Sequence, residues 1–173
     1  RRHHPGSVIV LTGCMPQAFP DTAKSYAQAD IVIGNSSRSS LPETIKRYLT
    51  ERRRIFEIKS HENRFEPLTV DSFQGRTRAF VKIEDGCDRY CSYCIIPYAR
   101  GHVRSKPLTE IVGELESLAN KGFLEVVLVG INLTSYGREW GGSIYDAVKA
   151  ACSVPGISRV RLGSIEPYSM TPE

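Results

Sequence analysis

The 173-residue chain has no apolar run near the roughly 20 residues that a bilayer-spanning helix requires, which excludes an ordinary membrane span. It also lacks a secretory signal pattern at its start. Its five cysteines are an odd set with three crowded together, a poor fit to a secreted disulfide framework. A cytoplasmic protein with no membrane partner is the expectation. The rest of the composition is ordinary for a globular protein, 40% hydrophobic and 24% charged. The length allows one large or two small domains. The chain opens at Arg1 rather than Met and stops just after a strand-like pattern, so it is expected to be a piece of a longer protein.

A net charge of +4 decides little by itself, but its distribution is uneven. From Lys46 to Arg64 there are seven Lys/Arg against three Asp/Glu, including Arg52-Arg53-Arg54; from Arg76 to Lys106 the count is again seven against three. Basic stretches of this kind suit a polyanion such as RNA, through phosphate contacts and counterion release. The triple arginine also reads more simply as a solvated helix end.

Alternating strand and helix patterns run along the chain, and the fold class is α/β. Val8–Thr12, Ile31–Ile33 and Ile55–Ile58 are short apolar runs typical of strands buried on both faces of a parallel sheet. A short helix is expected over Asp21–Ala29, and a second from a possible Ser40 cap to about Arg53. Residues 1–60 thus form an amino-terminal, doubly wound β/α half-domain. Residues 61–75 lack periodicity, hold Pro67 and Gly75, and read as a linker, with the boundary near Gln74. Over 76–173 a second series follows, with strands at Ala79–Ile83, Leu124–Val129 and Val160–Ile165. Between them, Leu108, Ile111, Val112, Leu115, Leu118 and Ala119 recur at helical spacing, and Ile144 to Ala151 suggest a shorter helix. Three strands joined by helical crossovers are the opening of a partial β/α barrel, whose site sits at the strands' carboxyl ends. The cysteine loop, Gly130 to Asn132 and Ser164 to Glu166 all fall there.

Cys87, Cys91 and Cys94 are spaced CxxxCxxC. Three thiolates in so short a span can hold three corners of a cubane iron–sulfur cluster, leaving one iron open to bind and activate a small molecule. A structural zinc site is the alternative, with His102 as fourth ligand. The second CxxC or HxxxH that zinc sites usually add is missing.

With an aromatic residue, Tyr93, just before the last cysteine, the motif resembles the radical S-adenosylmethionine (SAM) enzymes. That resemblance implies a 4Fe-4S cluster on Cys87, Cys91 and Cys94, SAM bound at the open iron, and Tyr93 near the adenine. Cys94-Ile-Ile-Pro-Tyr-Ala-Arg-Gly101, followed by Arg104-Ser105, resembles the methylthiotransferase branch. Leu11-Thr-Gly-Cys-Met-Pro-Gln17 is similar to that family's amino-terminal domain, which implies that Cys14 ligates an auxiliary 4Fe-4S cluster. Two further cysteines upstream and an RNA-binding module downstream are implied, and neither is in this sequence.

Leu128 to Gly137 and Arg161 to Pro167 resemble the bacterial threonylcarbamoyladenosine branch. The implied substrate is tRNA, methylthiolated at C2 of N6-threonylcarbamoyladenosine beside the anticodon. A reductant such as flavodoxin or ferredoxin is implied as partner. Gly130 and Asn132 would approach the methionine end of SAM, with Ser164 and Glu166 on the same rim. The same residues also read as a strand-ending turn and a polar barrel mouth. Arg100 and Arg104 could meet the cofactor carboxylate or RNA phosphate. Cys152 is expected in the core, and Trp140 either stacks a base or anchors its loop. Rival readings are a methylthiotransferase acting on isopentenyladenosine or a ribosomal protein, and, in another class, a nucleic-acid-binding protein with a zinc knuckle.

Overall fold

A computed structural model describes residues 4–66 and 77–166. Pro67, Gln74, Gly75 and most of the expected linker lie outside these residues, as does Pro167. The chain divides into two compact units, Arg1–Glu62 with Arg89–Gly101, and Asn63–Asp88 with His102–Glu173.

The first unit is built on a parallel sheet in the order β1 (Val10–Leu11), β2 (Ile31–Ile33), β3 (Ile55–Glu57). The central strand β2 is buried at all three positions, as its unbroken β-branched run requires. The helix expected over Asp21–Ala29 forms as the shorter α2 (Pro20–Lys24), and an unexpected α1 (Cys14–Ala18) stands before it without merging into it. Pro20 is the reason: it has no N–H to continue α1 but fits the first turn of α2. Ser40 does not cap α3 (Leu41–Glu51) with its side chain. A 3₁₀ turn over Asn35–Ser40 runs directly into that helix, and Ser40 instead gives its carbonyl to the Thr44 hydroxyl at 2.8 Å.

The triple arginine is only partly free surface. Arg54 donates from Nε to the Ala29 carbonyl at 3.2 Å and from Nη2 to the Lys24 and Tyr26 carbonyls at 3.1 and 3.2 Å. It ties down the loop before β2, a structural task that removes it from any phosphate-binding role.

In the second unit β4 (Arg78–Lys82), β7 (Glu125–Val129) and β8 (Arg159–Leu162) form a parallel sheet in that order, the three strands expected. A two-residue antiparallel pair, β5 (Glu84–Asp85) with β6 (Arg104–Ser105), closes the base of the cysteine loop. Between these two strands in sequence comes α4 (Ile96–Arg100), which belongs to the first unit. Between β6 and β7 runs α5 (Leu108–Asn120), which buries Ile111, Leu115 and Leu118 on one face. Gly122 follows it at φ +88°, a left-handed position open to glycine at little cost. The last helix, α6 (Ile144–Cys152), starts with a capping box in which Ser143 and Asp146 exchange hydrogen bonds. Leu115 is fully buried in the core shared by this sheet and both long helices. Leu115→Ala is expected to cost about 2–5 kcal/mol, read as a lower denaturant midpoint. A cost under about 1 kcal/mol would show that the core closes over the cavity.

Three cations of the second basic stretch are also held within the second unit. Lys82 reaches Asp85 at 2.5 Å, Arg104 lies 3.7 Å from the same carboxylate, and the buried Lys106 pairs with Glu114. These three cations serve internal carboxylates rather than a polyanion-facing surface. Cys152, expected in the core, is exposed, because α6 ends there and its last residue turns past the packed face.

Candidate functional site

In the second unit the parallel register sets Lys82 beside Val129 and Leu128 beside Leu162, so the chain leaves all three strands at one edge. Cys87 follows β5 there, Gly130 to Asn132 follow β7, and Ser164 and Glu166 follow β8. Ser164 is exposed and Glu166 half-buried.

Glu84, a residue with no mark in the sequence, joins two of these segments. It is fully buried, and its Oε2 accepts the Asn132 N–H at 2.7 Å; the Ile131 N–H donates to the same carboxylate. Burial pushes its carboxyl up to about 7, assisted by neighbouring Asp85 and opposed by the two amides and Lys82. Gly130 has to be glycine here, since a Cβ would lie 2.5 Å from Glu84 Oε2 and 2.9 Å from its Cβ. Asn132 is buried, and its Oδ1 accepts the Thr134 hydroxyl at 2.7 Å. That bond orients the side-chain amide and leaves Nδ2 with no partner among the described residues.

The cysteine triplet consists of free thiols, Cys91 exposed, Cys87 and Cys94 half-buried. Among the described residues no group of three or more His, Cys, Asp or Glu side chains is drawn together as a metal-binding set. The donor chemistry still fits an iron–sulfur cluster: three reduced, soft sulfurs on a loop that turns tightly. Tyr90 is left-handed at φ 48°, and Cys94 N–H donates to the Cys91 carbonyl at 2.9 Å. Tyr93 is 91% exposed and so unencumbered for a planar partner. His102, the candidate zinc ligand, is occupied otherwise: Nδ1 sits 2.5 Å from Asp88 Oδ1.

Cys14 opens α1 in the first unit, half-buried. Asn35, buried at 6% exposure, donates from Nδ2 both to Cys14 Sγ at 3.4 Å and to the Ala99 carbonyl of α4 at 2.9 Å. Its own N–H is held by Gln17 Oε1 at 2.8 Å, and Gly34 leaves room for that Gln17 amide. One amide therefore ties the Cys14 segment to the helix that begins two residues after Cys94. In the sequence Gly34-Asn35 reads only as a strand end, and no local signal marks it further. Arg100, in the last turn of α4, is half-buried.

Arg104 is not the solvated side chain that its sequence context allows, being 11% exposed. It lines a cavity of about 370 Å³ with Arg64, Phe65, Glu139 and Trp140. Trp140 is half-exposed and packs edge-on against Tyr136, with ring centroids 5.8 Å apart.

Residues 81–169 match the Radical SAM superfamily. The chain belongs to this superfamily. Its strand order and cysteine loop are those of a radical SAM partial β/α fold. The same fold is found in the radical SAM methyltransferase TsrM from Kitasatospora setae, with TM-score 0.54 at 19% identity over 86% of this chain and 33% of that one. The threonylcarbamoyladenosine tRNA methylthiotransferase MtaB of Aquifex aeolicus is 37% identical over 100% of this chain and 43% of its own length. Its Bacillus subtilis counterpart is 34% identical over 99% and 39%. A tRNA-2-methylthio-N(6)-dimethylallyladenosine synthase of Clostridium novyi is 35% identical over 100% and 39%. The radical SAM chain thus spans about two fifths of the length of the curated relatives it matches. Among the described residues no helix is long and apolar enough to cross a membrane.

Proposed function

We propose that the protein to which this chain belongs is a cytoplasmic tRNA methylthiotransferase that places a methylthio group at C2 of N6-threonylcarbamoyladenosine beside the anticodon. The observation that carries this reading is similarity to MtaB proteins along the whole chain, a span that in this chain includes the Cys14 segment, the cysteine triplet and the Gly130–Asn132 turn. Residues 1–60 are part of the amino-terminal domain, 61–75 a linker, and 76–173 the first part of the radical SAM domain. A flavodoxin or ferredoxin is the proposed reductant.

Cys87, Cys91 and Cys94 are the proposed ligands of one 4Fe-4S cluster, and Cys14 one ligand of an auxiliary 4Fe-4S cluster. When bound, the first cluster and SAM supply a 5′-deoxyadenosyl radical able to take hydrogen from a substrate carbon. The chain's own residues bind and orient. Asn132 Nδ2, its amide oriented by Thr134, offers a donor to the methionine end of SAM. Gly130 gives Glu84 room at the end of β7, with Ser164 and Glu166 on the same rim. Tyr93 offers an exposed ring to the adenine. Asn35 donates to Cys14 Sγ, which fixes the position of that sulfur. Arg100 offers a guanidinium fork to a carboxylate or to RNA phosphate, whereas Arg104 lies against Asp85 inside its unit.

Mass spectrometry of tRNA nucleosides from a strain lacking the full-length protein tests the substrate. The expected result is loss of the methylthio-threonylcarbamoyl nucleoside, restored by the intact gene. Loss of the methylthio-isopentenyl nucleoside instead would assign the protein to the other tRNA branch, represented by the Clostridium novyi relative.

A further inference from the structure

We infer that Glu84 is a positioning residue: it fixes the turn after β7 and thereby the direction in which Asn132 presents its side-chain amide. The inference deepens the reading above and rests on it for the identity of the group that Asn132 meets. Its basis is a set of contacts at the mouth of the second unit. Glu84 follows the first strand of the parallel sheet, yet its carboxylate accepts backbone N–H groups of Ile131 and Asn132, just past the second strand. The link is specific, because Gly130 is the only residue small enough to let Glu84 reach them. A buried carboxylate is costly unless its hydrogen bonds are worth more than its lost hydration. Here the balance is incomplete, since Oε1 is buried with no hydrogen-bond partner among the described residues. An apolar side chain would fill the same space without that cost. What the carboxylate adds is two acceptor bonds that hold two successive amides in one orientation. Asn132 N–H points inward to Glu84 while its side-chain Nδ2, steered by Thr134, is left for a ligand.

The test uses the full-length protein, anaerobically reconstituted with iron and sulfide. Glu84→Leu removes the acceptors at similar volume. The expected results are faster hydrogen exchange at the Ile131 and Asn132 amides, unchanged iron content, and SAM affinity reduced at least about tenfold by equilibrium binding. Glu84→Gln keeps an acceptor oxygen and should restore affinity to within about threefold of the parent. Should Glu84→Leu fail to fold, Glu84→Asp serves, its carboxylate drawn back by one methylene. Combined with Asn132→Ala, its effect on SAM affinity should be strongly less than additive, because both changes remove one interaction. Parent-like SAM affinity in Glu84→Leu or Glu84→Asp, or full additivity with Asn132→Ala, would overturn the inference. Those results leave the parent's SAM binding and nucleoside product intact, so they are distinct from a failure of the proposed function, in which the parent itself binds no SAM or makes another nucleoside.

Discussion

Cys91→Ser in the reconstituted full-length protein is expected to lower iron at the triplet and to reduce SAM cleavage under dithionite by more than about a hundredfold. The loss should exceed the 10–100-fold typical of residues that merely support a metal ligand. A serine oxygen is a hard, weakly acidic donor, while iron–sulfur clusters are held by soft thiolates. Cys91 is exposed, so the substitution removes little packing and should leave stability within about 0.5 kcal/mol. Cys152→Ser supplies the control: that thiol is exposed at the end of α6 and should affect neither iron nor cleavage. If Cys91→Ser retained iron and cleavage, the triplet would not be the radical-generating site.

The second large effect is on stability against pH. Burial raises the Glu84 carboxyl from its usual 4.5 to about 7. Between those two values the folded protein holds a proton that the unfolded chain has released. Stability is therefore greatest below about pH 4.5 as far as this group is concerned, falls as pH rises to 7, and stays lower above it. The gap corresponds to at most about 3 kcal/mol. Glu84→Gln, neutral throughout, should flatten this fall and make the protein more stable than the parent above pH 7. Urea midpoints of both proteins at pH 5, 6, 7 and 8 measure it. A parent that gains stability relative to Glu84→Gln as pH rises would show that the carboxylate is welcome in its charged form and that the burial argument fails.

Much of the architecture could be read directly. Unbroken apolar runs such as Ile31–Ile33 and Val126–Leu128 have no polar face to offer water, so they had to be central parallel strands. The spacing of Ile111, Leu115 and Leu118 could only bury one helix face. The cysteine triplet was legible because its chemistry is confined to eight consecutive residues. Cys152 was misplaced for a related reason: periodicity assigns a face but not the point where the packed part of a helix stops. The basic stretches were legible only as charge. A count of charges does not show that Arg54 binds backbone carbonyls or that Lys106 faces Glu114, since those partners come from elsewhere in the chain.

By itself, then, the order of residues determined the α/β class, the strands of the two parallel sheets and the longer helices, and the thiolate set suited to an iron–sulfur cluster, all of which depend on near neighbours. Only the tertiary structure decided that Glu84 would grip the amides of Ile131 and Asn132, forty-eight positions from the latter, and that Asn35 would bridge Cys14 and Ala99, sixty-four positions from the latter. Such hydrogen bonds exist only after folding has brought distant segments together, and a side chain carries no local mark of the partner that folding will bring to it.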